Sequence, residues 1–211
     1  MGTKPRVKPA APAKIDLFKD HKDEYVAPTS PALVSVGEAL YLAVTGRGKP
    51  GGEEFQAKVG ALYSAAFTIK MTHKFAAKGD YVIGKLEGQY WSDAGPAEAF
   101  EADAPMNWRL MIRTPDLVGP ADLADAVQKL RAKGKADGVD DVEFTSFEEG
   151  RCVQMLHVGP YDKEDETVQQ MLGFARSKNL TYKGPHHEIY LSDPRRVAPE
   201  KLRTILRLPV A

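Results

Sequence analysis

A glutamate stands in the middle of an otherwise apolar strand near the C-terminus. Gly184 to Pro194 reads G-P-H-H-E-I-Y-L-S-D-P. His187 to Leu191 has strand character, and Gly-Pro and Ser-Asp-Pro bound it as turn signals. Alternation places Glu188 and Tyr190 on one face, and His187, Ile189 and Leu191 on the other. An unpaired charge is costly to bury. Where a local rule is broken in this way, the reason is often functional. A carboxylate in apolar surroundings can hold an organic cation, take a proton from water, or give one to a carbonyl. Glu188 is therefore the first candidate for chemistry. Tyr161, after Gly159-Pro160 at a strand end, is the second, because its phenol could donate to a substrate oxygen. Tyr90, Trp91, Trp108 and Tyr190 are candidate rings for a pocket, with His157 and Tyr63 as further lining.

Each has a structural reading beside the functional one. Glu188 could pair with Lys183, Arg195 or Arg196. The tyrosine and tryptophan rings could be core or rim packing. His157, on a face with Met155, could be a satisfied core histidine. His186 and His187 are adjacent, so they point to opposite sides of a strand and cannot chelate one ion together. No other histidine has ligand spacing, and no metal or cofactor is expected. The turn-rich run Gly46 to Gly52 lacks the ending of a phosphate loop. There is no Ser or Cys nucleophile elbow.

These residues need elements to position them. Ala32 to Gly46 reads as one or two strands around Gly37. Glu53 to Ala77 has helical spacing in Phe55, Val59, Leu62, Tyr63, Ala66 and Ile69, with acids in its first turn. His73, near its end, reads as a solvated or capping residue. Strands follow at Tyr81 to Trp91 and Met106 to Arg113, then a helix at Asp122 to Lys133. Val142 to Phe147 and Arg151 to Val158 read as a hairpin turning at Glu148-Glu149-Gly150. Glu164 to Ser177 is a helix. Glu200 to Leu206 reads as a short final helix, and Leu208-Pro209-Val210 as an edge segment. The fold class is α+β.

The chain has 211 residues, 43% of them hydrophobic, enough for a real core. Lysine plus arginine equals aspartate plus glutamate at 29 each, which disfavours a general nucleic-acid binder. The lone Cys152 excludes an internal disulfide and a cysteine zinc site. No apolar run approaches membrane-helix length, and residues 1–13 lack the apolar core of a secretory signal. The expectation is a cytoplasmic protein with a disordered leader at 1–13 and a single domain at 14–211; the oligomeric state stays open.

An internal repeat is visible. Gly37 and Gly46 bracket one strand, and Gly150 and Gly159 bracket another at the same spacing. Each is followed by a helix and then by a strand ending in Tyr-x-Ser-Asp, at Tyr90 to Asp93 and at Tyr190 to Asp193. The two pseudo-repeats run from about 32 to 115 and from about 140 to 211. In this alignment Gly88 falls opposite Glu188, as a single pocket between two similar halves would require.

M-L-H-V-G-P-Y-D at 155–162, H-H-E-I-Y-L-S-D-P-R-R at 186–196 and L-E-G-Q-Y-W at 86–91 resemble the GyrI-like small-molecule-binding family, as does the closing K-L-R-T-I-L-R-L-P-V. The resemblance implies duplicated β-β-α-β-type units forming two antiparallel sheets around a ligand cleft. It also implies that the cleft takes flat or bulky apolar, often cationic, molecules, with Glu188 inside it. Long standalone members resemble hydrolases that open strained cyclopropane rings. This chain has Tyr90-Trp91 where such members tend to show two tryptophans. The expected partner is a hydrophobic or aromatic small molecule, with no membrane and no direct nucleic-acid contact. The alternative is a non-catalytic drug-sequestering or effector-sensing protein. An inhibitor of another protein would show an exposed apolar or strongly acidic surface, and the neutral charge gives that no support.

Overall fold

The computed structural model describes residues 14–93 and 106–211. The expected leader at 1–13 lies outside them. Two short helical turns, α1 (Leu17–Asp20) and α2 (Lys22–Tyr25), come first. Then follow β1 (Ala32–Gly48), α3 (Glu53–Phe75), β2 (Leu86–Trp91), β3 (Met106–Thr114), α4 (Pro120–Ala132), β4 (Glu143–Val158), α5 (Glu164–Ser177), β5 (His186–Tyr190) and β6 (Arg203–Pro209).

The class is α+β, as expected, but the strands close into one antiparallel barrel in the order β1-β3-β2-β5-β6-β4. This corrects the expectation of two separate sheets. β1 and β4, at 17 and 16 residues, are long enough to pair with each other and then with a third strand. β2 and β5 pair across the remaining gap, so no sheet edge is left open.

Two further readings are corrected. Glu148-Glu149-Gly150 is not a hairpin turn: β4 runs through it, and Val36↔Gly150 and Glu38↔Glu148 keep one register on either side. Gly150 takes a φ of +74° there, which its missing Cβ permits. The segment read as a final helix and an edge is β6, paired on both sides by β4 and β5. Its alternation decides the matter: Thr204, Leu206 and Leu208 face one side, Ile205 and Arg207 the other.

The outer face of the barrel carries two helices. α3 packs Phe55, Leu62, Ala65, Ala66 and Ile69 on Leu42, Val44, Trp108, Leu110 and Ile112. α5 packs Val168, Met171 and Ala175 on Val153, Met155, Leu206 and Leu208. His73 is buried rather than solvated, and ties α3 to α4 through Asp122 at 2.7 Å.

The inner face carries an ionic network beside an apolar cluster of Tyr25, Leu156, Ile189 and Ile205. His187 lies between two carboxylates, with Nδ1 2.7 Å from Glu149 Oε1 and Nε2 3.2 Å from Glu87 Oε2. Arg207 donates to Glu149 Oε2 at 3.1 Å, to Gln154 Oε1 at 2.6 Å and to the carbonyl of Glu24. The Tyr25 hydroxyl donates to Glu87 Oε1 at 2.9 Å, and Arg113 pairs with the Glu24 carboxylate. Buried charges persist only when paired and hydrogen-bonded. The α2 segment thus joins the barrel both through ions and through the packing of Tyr25 on Leu156, Ile189 and Ile205.

Candidate functional site

Glu188 lies on the opposite, outer face of the same ladder. Its cross-strand neighbours are Gly88 on β2 and Leu206 on β6. Antiparallel partners share a face, so Tyr90, His186, Tyr190 and Thr204 join it there. The Glu188 side chain is 13% exposed, with Oε1 3.3 Å from His186 Nε2. The arginines considered as its partners are engaged elsewhere: Arg195 and Arg196 both pair with Asp193.

Gly88 is bare for a reason. A Cβ there would sit 2.6 Å from the Tyr90 hydroxyl. Its absence lets Tyr90 lie across β2 and hydrogen-bond the Tyr190 hydroxyl. The Tyr161 ring stands edge-on to Tyr190, centroids 5.9 Å apart. Three phenols therefore gather around one carboxylate. Burial, then the negative charge of Glu188, holds Tyr90 and Tyr190 well above the ordinary phenol range. Tyr161 is pushed up to about 12, first by burial and then by Glu164 and Glu188. All three are hydrogen-bond donors at neutral pH.

Glu164 is the member of the cluster that sequence reasoning missed. It is the first residue of α5, where an acid reads simply as a complement to the helix dipole. The structure buries it. Glu164, His186 and Glu188 bring ligand atoms within 4.8 Å of one another. Burial first, and the facing Glu188 carboxylate second, hold the Glu164 carboxyl well above its ordinary range. Two carboxyls and an imidazole could hold a divalent ion in principle. His186 and His187 do point to opposite sides of β5, and His186 turns to the face that carries Glu164 and Glu188.

The other candidates fall in different places. His157 is buried with both ring nitrogens used: Nδ1 is 2.8 Å from Thr167 Oγ1, and Nε2 is 3.2 Å from the Pro160 carbonyl. It braces the turn that delivers Tyr161 and Glu164, and it lies opposite Thr204 on the same face of the barrel. Trp108 is wholly covered beneath α3, edge-on to Phe55 at 5.2 Å. A Cβ at Gly46 would sit 2.0 Å from its indole. Trp108 is a packing anchor beside Tyr90, not an exposed wall. Trp91 continues β2 opposite Asn107, so alternation turns it to the inner face, away from Glu188. Tyr63 is 38% exposed on α3. Burial and the Asp193 carboxylate raise its phenol, which places it toward the β5–β6 loop.

The family model of the GyrI-like small molecule binding domain matches residues 30–211. The chain belongs to that family. A crystal structure of a hydrolase from Listeria innocua is 40% identical, with TM-score 0.84 over 94% of this chain and all of that one. An uncharacterized conserved protein from Listeria innocua is also 40% identical, with TM-score 0.86 over the same shares. The C-terminal domain of EcmrR, at 12% identity and TM-score 0.55 over 86% of this chain and 97% of that one, shares the fold. No curated protein matches. No helix among the described residues is long and apolar enough to cross a membrane.

Proposed function

We propose that the Glu188 cluster binds hydrophobic aromatic small molecules between α3 and α5 and hydrolyses a strained, cyclopropane-type ring in them. The observation that carries this reading is the gathering of Glu188, Tyr90, Tyr161 and Tyr190 on one face of the β2–β5 ladder. The likeness to a protein described as a hydrolase supports it. So does the connectivity, in which β1-α3-β2-β3 and β4-α5-β5-β6 follow the same plan and meet at Gly88 and Glu188. We read these halves as a duplication.

The chemistry is addition of water. Glu188 takes a proton from water as its oxygen attacks the strained methylene carbon. The ring C–C bond breaks, and its electron pair flows into the conjugated carbonyl. Tyr161 passes its proton to that oxygen, which ends as a hydroxyl, and the phenolate regains a proton from solvent as Glu188 gives up the one it took from water. The measurement is mass-spectrometric turnover of an aromatic cyclopropane electrophile by wild type and Glu188→Gln. The expected loss is about 10²–10⁴-fold in rate, with affinity for neutral ligands kept. Full turnover by the glutamine variant would remove the catalytic role. A sequestering protein, the second reading, would bind the compound with no gain of water.

A further inference from the structure

We propose that Glu164, His186 and Glu188 form a site for one divalent ion of the zinc class, and that the bound ion takes Glu188 away from water. The ion site stands on its own geometry, and its effect on turnover rests on the reading of Glu188 as the base.

The three residues come from two elements. β5 contributes His186 and Glu188, two residues apart and so on one face. The first turn of α5 contributes Glu164. Their ligand atoms all lie within 4.8 Å of one another. Zinc ligands at about 2.0–2.1 Å in a tetrahedron stand about 3.3–3.4 Å apart. His186 Nε2 and Glu188 Oε1 are 3.3 Å apart, the spacing of two ligands on one ion. Glu164 has to close by no more than about 1.5 Å to complete the set.

A pairing of His186 with Glu188 alone leaves Glu164 unmet. Its Oε1 is buried and has no hydrogen-bond partner. A buried carboxylate of that kind is costly, and an ion that all three residues share removes the cost. Two carboxylates around a neutral imidazole carry a charge of minus two, which a divalent ion cancels. The residue types select the ion. One imidazole and two carboxylates suit zinc and its first-row neighbours. Magnesium keeps several waters in an octahedral shell, and His186 and Glu164, at 1% and 8% exposure, leave little room for one. Inside the barrel, Glu87, His187 and Glu149 offer the same residue types, but Arg207 holds Glu149 at 3.1 Å and would repel an ion there.

The experiment takes the full chain, stripped of metal with EDTA and dialysed. Zn²⁺ is titrated by calorimetry, and Co²⁺ by its visible absorption, which is strong when the ion is four-coordinate. One ion per chain is expected. Glu164→Gln should weaken it by about 100-fold or more, since even residues that only orient ligands cost about 10–100-fold. His186→Gln is the second ligand deletion, and a cooperative melt shows that each variant is folded. Zn²⁺ should stop water addition by wild type, and EDTA should restore it. No stoichiometric ion, wild-type affinity in both variants, or the weak Co²⁺ spectrum of six-coordination would overturn the site. Turnover that continues at full rate or rises with the ion bound would refute the masking of Glu188. Absence of turnover in the metal-free protein, with tight ion binding intact, would sink the hydrolase reading and leave the ion site standing.

Discussion

The phenol pair beside the carboxylate at position 188 can form only because position 88 has no side chain. A methyl group there would meet the Tyr90 hydroxyl at 2.6 Å. Tyr90 is buried and cannot swing away freely. Gly88→Ala should therefore part the Tyr90–Tyr190 hydrogen bond and cost about 1–3 kcal/mol of stability by overpacking. Thermal unfolding together with aromatic-ligand titration checks this, and the expected result is a folded protein with weakened binding. Unchanged ligand affinity would show that the paired phenols are not part of the site. At the same scale, Glu188, Tyr190 and Tyr161 could be picked from the sequence because alternation and Gly-Pro punctuation are local. Glu164 could not. An acid in a helix's first turn is expected for dipole reasons alone, and nothing local says that its carboxyl turns inward.

At the scale of elements, one β ladder has two different faces. The outer face of β5 carries Glu188, and the inner face carries His187 between Glu87 and Glu149. Burial works against the His187 charge, but the two carboxylates outweigh it and raise His187 to about 9. Glu149 is pulled down to about 2 by His187 and Arg207 against its own burial. The signs follow from linkage. The His187 contribution is complete below its ordinary value of 6.5 and is lost as pH rises through about 9. That of Glu149 is complete above 4.5 and is lost as pH falls through about 2. The melting temperature should therefore be highest between these two ordinary values and decline on both sides. Glu149→Gln should cost about 3–5 kcal/mol by leaving buried cations uncompensated and should flatten that profile. A melting temperature that does not vary with pH would show that the network contributes nothing. This layer was illegible in the sequence because Glu-Glu-Gly is a strong turn signal. Only the long pairing of β1 with β4 overrides it. For β6 the same lesson holds: K-L-R-T-I-L contains good helix formers, and two flanking strands outweigh that preference.

Considered whole, the molecule keeps its ions inside the barrel and its candidate chemistry outside, under two helices that the sequence placed correctly at Glu53 and Glu164. The N-terminal α2 segment belongs to the ionic side, through Glu24 and Tyr25. This division puts neighbouring glutamates on opposite faces. Glu87 lies inside, bound to Tyr25 and His187, while Glu188 lies outside with the phenols. Paired measurement of turnover and unfolding in Glu87→Gln and Glu188→Gln tests the division most directly. The predicted result is that Glu188→Gln loses water addition by about 10²-fold or more at near wild-type stability, while Glu87→Gln loses about 3 kcal/mol or more of stability and keeps its rate per folded molecule. The reverse pattern, with Glu188→Gln active but unstable and Glu87→Gln stable but inactive, would contradict the placement of the chemistry on the outer face.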